Sequence, residues 1–312
     1  MKKWSYFLFF MLAIFFCGVY GACKKTKPDN TVIESSTPLY ALIIGDTSLS
    51  IFNAAVQKSA NKPLFLNTRF ITVLIPTNSA FLAAGISLNT VNGMSAAAAD
   101  SLVRYHYIDS VPKLDTIVYT AYKTLLGPTI YGLGNTDTIN AYYNGTVAIK
   151  QKLAGSNASV FELSAPLQPA ISSIAQVLGA DSSLTYFARA VTDASVNLVP
   201  GSGWNTILAP DNTAFIAAGY PTLGSIDSSN TATLTNLVQY HVIPGQYFSN
   251  LFTKLSSVTA SQGGIINISL DSSSSIIHFI GASNTDSISI KRADRIASGN
   301  VILHKISGVL KP

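Results

Sequence analysis

The chain has 312 residues, enough for two ordinary domains that each bury a core, and 48% of them are hydrophobic against 11% charged, well below the roughly 25% charge of an average soluble domain. The formal charge of +5 is local: Lys2, Lys3, Lys24, Lys25 and Lys27, with Asp29 beside them, leave 15 basic against 14 acidic residues from Asn30 onward. So neutral a body offers little to neutralise phosphates, which argues against nucleic acid as a partner, and the later cluster Lys291, Arg292 and Arg295 reads as a solvated loop.

The N-terminus carries an export address. Lys2 and Lys3 form a positive n-region, Trp4 to Phe16 an apolar h-region, and Gly18 to Cys23 a run of mostly small residues at a cleavage site. Val19-Tyr20-Gly21-Ala22-Cys23 resembles the bacterial lipobox, in which the cysteine after the cut becomes a lipidated N-terminus; Tyr20 stands where a small or aliphatic residue is usual. Several acyl chains at about 0.8 kcal/mol per buried CH₂ make a durable anchor, so residues 1–22 read as a lipoprotein signal peptide and Cys23 as the lipidation site. Plain cleaved secretion and an uncleaved anchor are the alternatives, since Trp4 to Ala22 could just span a bilayer. Residues 23–37 are polar and short of aromatics, as a tether is, and folded structure is expected from Pro38. Cys17 and Cys23 are the only cysteines; cleavage at Cys23 leaves one thiol, and the fold relies on packing without a disulfide.

Beyond the tether, Leu39 to Ile44 and Leu49 to Lys58 read as helices, the second with Ile51, Ala54, Ala55 and Lys58 on one face. Phe70 to Ile75 is a buried strand closed by Pro76, and Asn78 is placed to cap the short helix carrying Phe81. Ala99, Leu102, Val103 and His106 lie at i, i+3, i+4 and i+7 of a further helix, so His106 points inward. Strands then follow at Thr129–Tyr131 and Thr146–Ile149.

The same order recurs. Arg69–Phe81 (RFITVLIPTNSAF) aligns with Gly203–Phe215 (GWNTILAPDNTAF), Ser101–His106 with Asn236–His241, and Asn157–Pro169 with Asn300–Pro312, both of the last pair closing on Leu-x-Pro. Two homologous units follow, residues 38–170 and 171–312, the second with its inward His241 and strands at Ile265–Leu270, Ile276–Ile280 and Ser287–Ile290. Helices first and strands afterwards give an α+β class rather than a doubly wound sheet.

A strand, Pro-Thr/Asp-Asn-x-Ala-Phe, a helix ending in Tyr-His, and strands closing on Asn-x-Ile-x-His-x-Ile-x-x-Val-Leu-x-Pro together resemble the fasciclin domain. The second unit matches well, including Tyr240-His241-Val242-Ile243-Pro244-Gly245; the first is degenerate, with Tyr107-Ile108-Asp109 lacking the Pro-Gly turn and Phe161 in place of His304. The resemblance implies two tandem modules, each a β-wedge or small sandwich packed with several short helices, and a role in adhesion, matrix or surface-polymer contact. It implies no enzyme and no cofactor. The expected product is an exported, membrane-anchored lipoprotein, at the outer membrane or cell surface, that binds a surface protein or polysaccharide. A glycan-binding accessory lipoprotein of a polysaccharide uptake system is the alternative.

Candidate sites are few. Tyr105-His106 and Tyr240-His241 are the interaction motifs the resemblance suggests, although their helical phase favours a core role with the imidazole satisfied by a carbonyl. Tyr119, Tyr122, Tyr131, Tyr142 and Tyr143 concentrate in the strands of the first unit, and Tyr142 and Tyr143 are the candidates for an aromatic binding face; core packing is the plainer reading. Four scattered histidines without ligand spacing give no zinc site, and Asp271-Ser272-Ser273-Ser274-Ser275 lacks the Asp-x-Asp-x-Asp-Gly pattern of a calcium loop. No serine elbow, dinucleotide loop or paired carboxylates are visible.

Overall fold

A computed structural model describes residues 33–35, 39–66, 71–110, 119–134, 141–154 and 158–312; the leader and Cys23 lie outside the described residues. The first module contains β1 (Ile33–Ser35), β2 (Ile71–Pro76), β3 (Tyr107–Ile108), β4 (Thr120–Lys123), β5 (Thr129–Leu133), β6 (Tyr142–Tyr143), β7 (Thr146–Ala154) and β8 (Ala158–Leu163). Its helices are Leu39–Gly45, Ser50–Lys58, Asn78–Ala83, Leu88–Gly93 and Ala96–Tyr105. In the second module are β9 (Asn205–Pro210), β10 (Val242–Pro244), β11 (Ser257–Thr259), β12 (Ile265–Asp271), β13 (Ile276–Gly281), β14 (Ile288–Ala297) and β15 (Val301–Ile306). Helices Ile174–Gly179, Thr185–Asp193, Asn212–Ala217, Leu223–Asp227, Thr231–Tyr240 and Ser249–Phe252 complete it.

The two sheets have one topology. The order β3-β2-β8-β7-β6-β5-β4 corresponds strand for strand to β10-β9-β15-β14-β13-β12-β11. In each, a parallel pair (Ile71↔Ala158 to Pro76↔Leu163, and Asn205↔Val301 to Pro210↔Ile306) joins the early strand to the closing one in the same register. The architecture is α+β, with helices and a sheet in each module. The first part of β7 pairs with β6 and its remainder with β8, with a register irregularity between Ala148 and Lys150; β14 is divided likewise between β13 and β15. One long irregular strand shared by two half-sheets makes a wedge, because a bulge bends the strand and lets the halves diverge.

Burial explains why the early strand is apolar throughout. Ile71, Val73 and Ile75 pack against the helices of the first module while Leu74 faces the interior of the wedge with Tyr105 and Phe161. Ile207 and Ala209 repeat the first arrangement and Leu208 the second. A strand buried on both faces reads as a continuous apolar run rather than an alternating one.

Three sequence expectations change. Part of the expected tether is ordered into the sheet: β1 runs parallel to the end of β7, with Ile33↔Lys152, Glu34↔Leu153 and Ser35↔Ala154, covering an edge that would otherwise expose unpaired backbone groups. The strand expected at Ser287–Ile290 continues to Ala297, so Lys291, Arg292 and Arg295 lie on β14 rather than in a loop.

Asn78 does not cap its own helix. Thr77 does, accepting from the Ala80 N–H, as Asp211 accepts from Ala214 in the second module. Asn78 caps a different one: its Oδ1 accepts from the Ile51 N–H at 3.0 Å and its Nδ2 donates to the Thr47 carbonyl and Ser50 hydroxyl at 2.9 Å each. Asn212 makes the same three bonds to Tyr186, Ser182 and Thr185. Leu49 and Leu184, the N-cap residues of those helices, have no oxygen to offer, so the cap is supplied across the fold. Asn212→Ala is expected to cost about 2 kcal/mol, read as a lower urea midpoint at unchanged slope.

The modules also touch. Phe248, Ile296 and Ile302 of the second form a cluster with Tyr119, Tyr131, Ala170 and Trp204. Tyr131 meets Trp204 edge-on at 4.8 Å between ring centroids, Tyr119 lies 5.0 Å from Phe248, and the Tyr119 hydroxyl donates to Asn250 Oδ1 at 2.7 Å. The Asn144-Gly145 turn between β6 and β7 seats against Asp294: a Cβ on Gly145, whose φ is +80°, would stand 2.4 Å from the Asp294 carboxyl. That glycine is required both for the turn and for the approach.

Candidate functional site

The two Tyr-His pairs occupy equivalent places in the cores. Each histidine is the residue closing its helix, and its backbone N–H turns to the carbonyl three residues back, His106 to Val103 and His241 to Val238. The carbonyl four residues back is left without its helical partner, and the imidazole takes it: Nδ1 of His106 donates to Leu102 and Nδ1 of His241 to Leu237, both at 2.8 Å. Each Nε2 accepts the N–H of a closing-segment leucine, Leu167 at 3.1 Å and Leu310 at 3.0 Å. Both rings are thus the neutral Nδ1–H tautomer, and burial holds their pKa down at about 4. The adjacent Tyr105 and Tyr240 are also fully buried, with the Tyr240 hydroxyl donating to the Ile265 carbonyl at 2.7 Å. The two histidines therefore tie the helix to the closing segment and Tyr240 ties it to β12, and all four suggested contact residues are buried away from a partner.

The tyrosines of the first module do not form one exposed face. Tyr143 is fully buried on Phe161 and Tyr122 is buried in the same cluster, because alternate residues of the strands point into the wedge. Tyr119 and Tyr131 join the contact between the modules. Tyr142 is half-buried and lines a cleft where the modules meet.

That cleft has a volume of about 1060 Å³ and is walled by the Asn144-Gly145 turn and the Ser164–Gln168 segment on one side, and by Asn250, Arg292 and Arg295 on the other. An adjoining hollow of about 430 Å³ shares Gln168, Arg292 and Arg295 and extends to Asp181 and Lys305. Composition gave no sign of either, because they arise from juxtaposed modules; the early signal was the Lys291-Arg292-Arg295 cluster, whose setting the sequence misjudged.

At the edge of the cleft the second module brings together Ser249, Asp294 and His304. Asp294 accepts from both the N–H and the hydroxyl of Ser249, while His304 donates from Nε2 to the Tyr247 carbonyl at 2.9 Å and accepts the Asp294 N–H at Nδ1. The serine is bonded to the carboxylate and the imidazole is fully buried, so the ring cannot take a proton from the hydroxyl as a nucleophilic relay needs. Burial raises the Asp294 pKa and lowers that of His304. In the first module Phe161 holds the position of His304, packed on Tyr143.

Among the described residues no group of three or more His, Cys, Asp or Glu could hold a metal ion. Asp271 is occupied with the Ser273 N–H and the Ser273 and Ser274 hydroxyls of its own turn. No single described helix is long and apolar enough to cross a membrane; the bent pair Leu39–Gly45 and Thr47–Lys58 has that composition, and most of its apolar residues pack in the first core.

Compared with known protein families, the chain matches the fasciclin domain twice, over residues 47–169 and 182–312. No curated protein matches it. Among solved structures it is similar to a FAS1 domain pair from the insect cell adhesion molecule fasciclin I, at 15% identity and a TM-score of 0.41, over 85% of this chain and 97% of that one. With two family matches that together span most of its length, each falling on one of two modules of identical strand order, the chain belongs to the fasciclin family.

Proposed function

We propose that this protein is an exported lipoprotein, held in the cell envelope by acyl chains on Cys23, whose tandem fasciclin modules bind a surface protein or polysaccharide without turning it over. Fasciclin domains are adhesion and interaction modules. The observation that carries the non-catalytic reading is the use of the chemistry-bearing side chains: His106, His241 and His304 are buried and bonded to backbone. A hydroxyl-rich, weakly charged body on a lipid anchor suits contact with another envelope component.

For glycan capture, Tyr142 and Tyr143 do not form an aromatic platform, since Tyr143 is in the core. What supports a sugar ligand instead is the cleft between the modules.

Fractionation of cells making the wild type or Cys23→Ser tests the anchor. The wild type should sediment with membranes and incorporate labelled palmitate, and Cys23→Ser should do neither. Retention of the variant in membranes would identify an uncleaved leader as the anchor. For the binding role, the soluble fragment 30–312 should attach to native envelopes and saturate; attachment no better than that of an unrelated domain would refute it.

A further inference from the structure

The β14 irregularity gives the cleft its character. Across β14 and β15, Arg292 pairs with Lys305 and Arg295 with Leu303, so four residues of one strand span three of the other. Positions three apart on a regular strand point to opposite faces; the extra residue, at Asp294 with φ +60°, brings Arg292 and Arg295 to the same side. Both line the large cleft and the adjoining hollow.

Their charges are not neutralised locally. Of the other cations nearby, Lys291 is paired with Asp211 and Lys305 with Asp181, the latter at 2.9 Å. Arg295 donates to the neutral Gln168 carbonyl oxygen, and among the described residues Arg292 has no carboxylate within ion-pairing distance. The carboxylate in the cleft wall, Asp294, is turned to Ser249. Two neighbouring guanidinium groups are costly to hold together unless something anionic joins them; burial first, and the nearby Arg292 charge second, lower the Arg295 pKa.

A second, independent feature lies on the same wall of the cleft. Asn250 is only 8% exposed and lines the cavity; its Oδ1 accepts from Tyr119, but its Nδ2 has no partner. An unmet buried donor is normally avoided, and a ligand hydroxyl at the cleft wall would meet it. Ser164, Gln168 and the half-buried Tyr142 ring complete a lining of hydroxyl, amide and aromatic groups, the kind that suits a sugar.

We propose that the trough between the two modules binds an acidic polysaccharide, its carboxylates held by Arg292 and Arg295 and its hydroxyls by Asn250 and Gln168. The proposal rests on the reading of the chain as an interaction protein and names the partner's chemistry. It also places the site where neither module alone would suffice. Arginine is suited to the role because its planar fork matches a carboxylate in bidentate geometry.

The test is titration of the fragment 30–312 with polygalacturonate oligosaccharides, with dextran of similar length and with poly-glutamate. Polygalacturonate should bind, dextran should not, and the Arg292→Gln/Arg295→Gln variant should bind about 100-fold more weakly, as expected for two lost charge-assisted bonds. Arg292→Gln alone, at an exposed position, should weaken binding about tenfold and guards against misfolding of the double variant. Equal binding of dextran, tighter binding of poly-glutamate, or indifference to both variants would overturn the acidic-glycan assignment. If the fragment attaches to native envelopes as before while failing to bind polygalacturonate, this proposal falls and the adhesion reading stands; if attachment is also absent, both fall.

Discussion

His241→Ala should destabilise the second module by about 3–5 kcal/mol, and His106→Ala the first by a similar amount. The ring does three things at once. It satisfies the Leu237 carbonyl at the helix end, it accepts the N–H of the fully buried Leu310, and it fills space beside Phe187, whose ring centroid is 6.1 Å away. Truncation leaves an orphaned buried N–H on Leu310, an unmet carbonyl and a cavity in a packed core, and these costs add. For a module of this size the melting temperature should fall by about 10 °C. Calorimetry of the single variants checks this, and a shift below about 2 °C for both would mean the imidazoles are replaceable filler rather than ties.

Acid should weaken both modules well above the range in which carboxylates titrate. Each of these histidines has a folded-state pKa of about 4 against 6.5 unfolded, so between those values the unfolded chain binds the extra proton and the folded one does not. The stability is therefore fully present above pH 6.5 and is withdrawn as pH falls toward 4, by up to about 1.4 kcal/mol per pH unit for each histidine. By pH 4 each module should have lost about 3 kcal/mol. His304, whose pKa is also lowered, adds to the loss in the second module, while the raised Asp294 carboxyl works the other way, its folded form gaining stability as pH falls. Asp181, held at about 2 by its hydrogen bonds from Ser183 and Lys305, loses its stabilising contribution only as pH falls below the ordinary carboxylate range. Urea midpoints at pH 7, 6, 5 and 4.5 read the slope, and a flat profile down to pH 4.5 would show that the imidazoles are not held neutral. His241→Gln should flatten its share of the slope, since glutamine does not titrate.

How far the sequence reached can be judged from particular residues. The duplication was legible because each copy spends the same residues on the same structural tasks: the double-faced strands at Ile71 and Asn205, the helices ending in Tyr-His, and the closing segments to Pro169 and Pro312. The inward phase of His106 and His241 followed from helical spacing alone, and their burial agrees with it. The role of Asn78 was misassigned because a capping residue and the helix it caps need not be neighbours in sequence: its partners are at Thr47, Ser50 and Ile51. Nor could composition separate Tyr142 from Tyr143, since adjacent strand residues point to opposite faces and the sequence does not state which face is covered.

What the sequence by itself determined is the unit: an α+β module with its apolar runs, helix ends and closing strand, written twice because local periodicity and turn chemistry are encoded residue by residue. What only the tertiary structure decided is what happens between distant segments. The bulge at Asp294 aligns Arg292 with Arg295, the Asn144-Gly145 turn seats against that bulge, and Tyr119 and Tyr131 are committed to Phe248 and Trp204. These follow from register and from close approach between segments distant in the chain, and neither hydrophobic pattern nor spacing carries that information.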